Sequence, residues 1–161
     1  MTKNDFDLDD LEKSSDSLEF LVDKKLFEKR ILHFTEDVND SSISSLIKKI
    51  QLLANESDEP ITVYINSPGG YMYHAMALYD CCHSVKAPVR MVGHGMIMSA
   101  GALIMACCGT KGQRFATKNA SFMIHQVSTV AIGKLGDIEV DYKESERMQD
   151  MMINLLSKHT G

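Results

Sequence analysis

The spacing of apolar residues along the chain predicts helices that alternate with strands. One amphipathic helix is indicated by apolar residues that recur every three or four positions: Ile43, Leu46, Ile47, Ile50 and Ala54. Asn39, Asp40 and Ser41 precede it as candidate N-caps. The same spacing predicts a second helix from Met72 to about Ser84, before Ala87-Pro88. Short apolar runs at residues 30–34, 61–66 and 89–93 predict the strands between these helices.

The second half of the chain continues this alternation. Residues 99–108 are almost wholly apolar and predict a buried helix, and two short strands are expected at 114–116 and 121–125. Residues 138–158 predict a last helix, capped by Asp137, whose polar centre lets it project outward or pack only at its ends. Near the start, residues 18–22 are too short to assign and residues 24–29 predict one helical turn. Such alternation is typical of an α/β layered fold with parallel strands and right-handed crossover helices.

Length and composition place the chain among ordinary globular proteins. Its 161 residues suit a single domain, and 44% are hydrophobic and 24% charged. There is no apolar run long enough for a membrane span, and the polar, acidic first ten residues are unlike a secretory signal. We therefore expect a cytoplasmic protein.

Charge divides the chain into two parts. Eight of the 22 acidic residues and only two of the 17 basic ones fall in residues 1–23, so the remainder is near neutral. This predicts a mobile acidic leader over 1–23, followed by one domain over 24–161. A solubilising role for the leader is favoured over an interaction arm. No basic cluster indicates a nucleic-acid partner.

The four cysteines form two adjacent pairs, Cys81-Cys82 and Cys107-Cys108. Adjacent cysteines bridge poorly, and this spacing is not that of a zinc site. We interpret all four as reduced thiols that fill the core. The sequence predicts neither a metal site nor a cofactor.

Three stretches carry candidate chemistry. The apolar run that ends at Ile65 leads into Pro68-Gly69-Gly70, where glycines expose backbone N–H groups. Ser99 follows the next apolar run at a second strand-to-helix junction, and His125 closes a third apolar run. A serine, a histidine and free N–H groups are the parts of an acyl-transfer site.

These stretches resemble the proteolytic-subunit family of the Clp protease, serine peptidases of the ClpP/crotonase-like fold. The resemblance runs from about residue 26 to 161 and rests on Tyr-Ile-Asn-Ser-Pro-Gly-Gly at 64–70, Gly-x-x-x-Ser-x-Gly-Ala at 95–102, Met-Ile-His-Gln at 123–126 and Lys-His-Thr-Gly at 158–161. It implies that Ser99 is the nucleophile and His125 the general base. It also implies that the backbone N–H groups of Gly70 and Ala100 form the oxyanion hole.

The resemblance further implies an assembly. Residues from about 126 to 158 would form a protruding handle that interlocks two stacked rings, each expected to contain seven copies of the chain. Such a homo-oligomer encloses its active sites, so unfolded polypeptides would be fed in by an AAA+ ATPase partner. The segment after His125 would offer an edge for pairing with a substrate strand.

The chain departs from the family pattern at three places. In the family, an aspartate orients the histidine, and it is expected well beyond His125, as are the last strand and helix of the fold. The third acid is therefore unassigned in this chain. Either the chain is a truncated form or another subunit supplies the acid. Ile97 and Met98 replace small residues before Ser99, and Ala100 replaces a methionine. The acidic leader is unlike the family's axial-pore loop, which leaves the ATPase partner open.

Three functions remain as hypotheses. The first is a serine-type endopeptidase subunit of a self-compartmentalising, ATP-dependent ring protease. The second is a catalytically impaired or regulatory subunit that co-assembles with a complete catalytic one. The third, an acyl-CoA enzyme of the crotonase type, is disfavoured because that chemistry has no need of a Ser99–His125 pair.

Overall fold

A parallel sheet with helices packed against it forms the body of the molecule. The computed structural model describes residues 15–161, and side chains from Leu18 onward. Its elements in chain order are α1 (Ser15–Glu28), β1 (Ile31–Phe34), α2 (Asp40–Glu56), β2 (Ile61–Ser67), α3 (Met72–Ser84), β3 (Val89–Met98), α4 (Ala100–Cys107), β4 (Arg114–Ala116), β5 (Ser121–Met123) and α5 (Leu135–Thr160). The predicted α/β class with parallel strands is confirmed.

The sheet has five strands in the order β1-β2-β3-β4, with β5 also paired to β3. All the pairings are parallel. The first half of β3 pairs with β4 through Met91–Gly93, and its second half pairs with β5 through Met96–Met98. The two short strands therefore lie end to end along the same edge of β3.

Strand β3 does not end at Gly93, as the sequence suggested, but continues to Met98. Its register against β2 shifts between Ile65 and Ser67, which leaves two extra residues on β3. Gly95 takes up this irregularity with a φ of 63°, and the side-chain oxygen of Asn66 accepts the Met96 N–H at 2.9 Å. The bulge lets a single strand run past it and deliver Ser99 at its end.

The core is built as the apolar spacing predicts. Helix α2 buries its apolar side chains Ile43, Leu46, Ile50 and Leu53 in the core. Strand β2 alternates buried and half-buried residues along its length. Helix α4 is buried on nearly every side. The largest fully buried side chains include Ile43, Ile50, Leu53, Ile61, Ile65, Leu78, Met91, Ile97 and Ile104.

The first helix is longer than expected. Residues 15–28 form one helix, and it continues through residue 23 without an element boundary there. Phe27 is its half-buried contact with the core. Residues 1–14, most of the acidic leader, lie outside the described residues, so the expectation of a mobile leader stays a prediction.

Helix α5 begins at Leu135, with Lys134 rather than the expected Asp137 at its N-cap position. Asp137 lies in the first turn, where its negative charge interacts favourably with the positive end of the helix dipole. Met148 and Met152 are its buried residues, so only its C-terminal half packs on the body. Its N-terminal half and the segment before it expose apolar side chains, among them Val130, Ile132, Leu135, Val140 and Tyr142.

One polar contact ties the middle of α5 to α3. The Tyr73 hydroxyl of α3 donates to Glu144, which also pairs with Arg147 at 2.6 Å. Hydrogen bonds from Arg147 and Tyr73 lower the pKa of Glu144 to about 2. None of the helices between residues 15 and 161 combines the length and apolar character that a membrane crossing requires.

The capping of α2 gives a test of local stability. Asn39 accepts the Ser42 N–H at 3.0 Å, and the Ser42 hydroxyl accepts the Asn39 N–H at 3.2 Å. We expect Asn39→Ala to lower the free energy of unfolding by about 1 kcal/mol, because a first-turn N–H loses its acceptor. Asn55→Ala, at an exposed position near the other end of α2, is the matched control. Equal denaturation midpoints for the two variants would contradict the capping role.

Candidate active site

The turn at residues 67–71 is fixed to the loop after β1. The buried Ser67 hydroxyl donates to the Glu36 carbonyl at 2.6 Å and accepts the Gly69 N–H at 3.2 Å. The Val38 N–H donates to the Gly69 carbonyl, and the Tyr71 N–H donates to the Val38 carbonyl, both at 2.8 Å. The turn therefore holds one shape without help from exposed side chains.

Only glycine fits at the centre of this turn. A Cβ on Gly70 would lie 2.3 Å from the Val38 carbonyl oxygen, and one on Gly69 would lie 2.6 Å from the Met98 oxygen and 2.7 Å from the Ser99 Cβ. Both glycines also have positive φ, 96° for Gly69 and 149° for Gly70. The two glycines are needed because the turn is packed between the Val38 loop and the 98–100 segment.

Ser99 occupies a strained junction between β3 and α4. Its φ of 53° and ψ of −124° lie outside the regions that non-glycine residues usually adopt. It is the N-cap residue of α4, yet its side chain makes no capping hydrogen bond. The hydroxyl is thus left for another partner, at the helix end where the dipole favours developing negative charge.

His125 is that partner. Its Nε2 lies 2.9 Å from the Ser99 Oγ, and its Nδ1 lies 2.5 Å from the Gln126 carbonyl oxygen. The pairing of β3 with β5 brings the two residues together, with Met98 opposite Met123 and the Ser99 N–H donating to the Met123 carbonyl at 2.8 Å. A hydrogen on Nδ1 satisfies both contacts of the ring, and it leaves Nε2 free to accept the serine proton.

The predicted oxyanion donors belong to the glycine turn (Gly70) and to the first residue of α4 (Ala100). The Gly70 and Ala100 N–H groups donate no hydrogen bond to any residue of the described chain. The Ala100 nitrogen would be only 2.9 Å from a Cβ on Gly69, which places it directly against the glycine turn. Unpaired backbone N–H groups are the kind of donor that an oxyanion hole requires.

No carboxylate forms a hydrogen bond with His125 among the described side chains of residues 18–161. The hydrogen bonds of its ring go to the Ser99 hydroxyl and the Gln126 carbonyl. Asp137 and Asp141, the first two aspartates after His125 in the sequence, make no hydrogen bond to it in the described structure. The third acid stays unassigned.

Sequence reasoning missed an apolar groove near this site. It has a volume of about 500 Å³ and is lined mainly by Met105, Phe115, Phe122, Ile124 and Leu156. None of the four predicted site residues lines it, so the groove is separate from the candidate catalytic pair. Its walls come from elements far apart in the chain, and no local pattern could have indicated it.

The four cysteines and His159 take no part in the Ser99–His125 contact. All four cysteines are free and buried, as predicted. Burial raises the pKa of Cys81 and of Cys107 to about 11, which keeps these thiols protonated and unreactive near neutral pH. His159 Nε2 lies 3.1 Å from the Tyr79 hydroxyl oxygen. Burial is the main cause that lowers the pKa of His159, and the nearby His83 is the second.

Comparison with known proteins identifies the family. The family model described as Clp protease matches residues 14–161. The chain is 40% identical over 139 residues to the ATP-dependent Clp protease proteolytic subunit 2 of Corynebacterium jeikeium, covering 85% of this chain and 66% of that protein. The proteolytic subunit 2 of Mycobacterium leprae is also 40% identical, with 65% of its length covered, and the proteolytic subunit 1 of Rhodococcus jostii is 40% identical, with 63% covered.

The chain therefore belongs to the Clp protease family. It spans slightly less than two thirds of the length of these curated relatives.

The glycine turn gives a test of the site geometry. We expect Gly69→Ala to displace the Ser99 backbone and to slow labelling of Ser99 by a fluorophosphonate about 100-fold, because small misplacements of reacting groups have large kinetic effects. Gly112→Ala is the control, since Gly112 also has positive φ but a Cβ there has open space around it. That control should lose only about 1 kcal/mol of stability. Equal labelling rates in the two variants would disprove the steric argument.

Proposed function

We propose that this chain is a serine-type endopeptidase subunit of the Clp protease type, which hydrolyses unfolded polypeptides. The observation that carries the proposal is the 2.9 Å contact between the Ser99 Oγ and the His125 Nε2. It is supported by the strained Ser99 backbone and by the two unpaired N–H groups beside it.

In this mechanism the Ser99 Oγ attacks the peptide carbonyl carbon as His125 Nε2 takes the hydroxyl proton. The carbonyl oxygen becomes an oxyanion that accepts hydrogen bonds from the Gly70 and Ala100 N–H groups. The intermediate then collapses, and the C–N bond breaks as Nε2 returns the proton to the leaving amine. Water, activated by the same histidine, hydrolyses the acyl-serine. Loss of one oxyanion donor typically lowers kcat about 10²–10³-fold.

We also propose that copies of the chain assemble into stacked rings, expected to be heptameric, with α5 and the segment before it as the handle. The support is the exposed apolar character of this region: Val130, Ile132 and Leu135 are 84–90% exposed. Single exposed apolar residues are common, but a group of them favours burial against another chain.

An AAA+ ATPase is the proposed partner that delivers the substrate. The support is that the similar proteins named above are ATP-dependent Clp protease proteolytic subunits. We propose a cytoplasmic location, to which the four free thiols are suited.

A second candidate is a regulatory subunit that co-assembles with a complete catalytic subunit. The observation that favours this candidate concerns the hydrogen-bond partner of His125 Nδ1. Within the described residues, that partner is the Gln126 backbone carbonyl and not a carboxylate. If this candidate is correct, the chain alone would not label with a fluorophosphonate, and mixing with a complete subunit would be needed for activity. The crotonase-type alternative is disfavoured by the Ser99–His125 contact itself.

The catalytic assignment is tested by Ser99→Ala. We expect this variant to lose cleavage of an unstructured fluorogenic peptide and all fluorophosphonate labelling, while it assembles as the unchanged chain does. Ser121→Ala, at an exposed serine on the neighbouring strand, should cleave at the normal rate. Undiminished cleavage by the Ser99 variant would show that another group performs the reaction.

The assembly is tested at the exposed apolar segment. We expect the double substitution Ile132→Asp and Leu135→Asp to convert stacked rings to smaller species in native mass spectrometry, since buried carboxylates are costly. Leu52→Asp is the matched control, because Leu52 is a 52% exposed leucine on α2, outside the proposed handle. A mass distribution shared by both variants would refute this interface.

A further inference from the structure

Gln149 on α5 makes an unexpected contact with the segment that follows His125. Its side-chain oxygen accepts the Val127 N–H at 2.7 Å, across 22 residues of sequence. Gln149 is half-buried and lies between the buried Met148 and Met152 on the half of α5 that packs on the body. The contact is therefore held from the helix side by packing.

The Val127 nitrogen belongs to the same planar peptide group as the Gln126 carbonyl. In a trans peptide the N–H and the C=O point in opposite directions, so an acceptor that fixes the N–H also fixes the direction of the carbonyl. The Gln126 carbonyl oxygen points at the His125 Nδ1, 2.5 Å away. Gln149 thus holds one end of this peptide group while the His125 ring contacts the other.

We propose that Gln149 is a positioning residue for the Ser99–His125 pair, an inference that rests on the proposed peptidase function. By holding the 126–127 peptide, it keeps the Gln126 carbonyl as the acceptor of the Nδ1 hydrogen. That fixes the ring orientation and the tautomer in which Nε2 accepts from the Ser99 hydroxyl. Gln149 itself touches neither reacting atom.

The same arrangement acts during the reaction. When Nε2 takes the Ser99 proton, the ring becomes an imidazolium with a hydrogen on each nitrogen. The Nδ1 hydrogen stays on the ring throughout and donates to the Gln126 carbonyl, whose partial negative charge stabilises the cation. The proton on Nε2 passes to the leaving amine, so no proton moves through Gln126 or Gln149.

The test compares side chains at position 149 that keep or lose the acceptor. Gln149→Leu and Gln149→Ala remove it, whereas Gln149→Glu keeps an oxygen that can accept the Val127 N–H. Gln113→Leu is the control, because Gln113 also uses its side-chain oxygen as an acceptor, from Arg90 at 3.0 Å, but far along β3 from the site. Each protein is made with ¹⁵N-labelled histidine, and the His125 signals are assigned by their loss in His125→Asn.

The first readout is the His125 tautomer, from two-bond ¹H–¹⁵N correlations, which a merely structural role of Gln149 would leave unchanged. We expect hydrogen on Nδ1 in the unchanged chain, in Gln149→Glu and in Gln113→Leu, and a mixture of both tautomers in Gln149→Leu and Gln149→Ala. A pure Nδ1–H tautomer in the Leu and Ala variants would overturn the proposal. So would a mixture in the Glu variant.

The second readout is the rate of fluorophosphonate labelling at Ser99. We expect about a 5- to 10-fold decrease in the Leu and Ala variants, the effect of one hydrogen bond, with the rate restored in Gln149→Glu. Equal rates in all variants would overturn the role of Gln149 while leaving the peptidase assignment intact. Absence of labelling in the unchanged chain would instead contradict the proposed function, and the tautomer readout would still decide the role of Gln149.

Discussion

The close packing of the Gly69-Gly70 turn between two backbone segments is the constraint on which the site depends. One side of the turn lies against the Val38 carbonyl, and the other lies against the Met98 carbonyl oxygen, the Ser99 Cβ and the Ala100 nitrogen. No side chain fits in either direction, so the loop after β1, the turn after β2 and the junction after β3 form one rigid unit. The unpaired Gly70 and Ala100 N–H groups lie in this unit, and N–H groups held in fixed positions are what the proposed oxyanion hole requires.

The irregular strand β3 is the second feature on which the site depends. Its bulge at Gly95 allows one strand to pair with β4 below the irregularity and with β5 above it. Through the second pairing, His125 comes within hydrogen-bond distance of a serine 26 residues earlier in the chain. The strand pairing thus sets the short distance between Ser99 and His125. At Ser99 the unusual backbone conformation leaves the hydroxyl without a capping hydrogen bond.

The electrostatics of the pair rest on dipoles. A backbone carbonyl at His125 Nδ1 sets the same tautomer as a carboxylate would, but a neutral dipole stabilises an imidazolium less strongly than a full charge. Helix α5 takes part at this point, because Gln149 holds the peptide that carries the carbonyl. The geometry of the site therefore involves the C-terminal half of α5, the half that packs on the body.

The sequence by itself determined the elements whose periodicity is strong. Helix α2, its Asn39 cap and strand β2 follow their apolar spacing because local propensity and burial agree there. The glycine turn, Ser99 and His125 were also predicted, since each stands at an apolar run with a distinct residue type. The tertiary structure alone decided the length of β3, the start of α5 at Leu135, and the contacts of Gln126 and Gln149. These depend on a register shift and on packing between residues far apart in the chain, which no local pattern encodes.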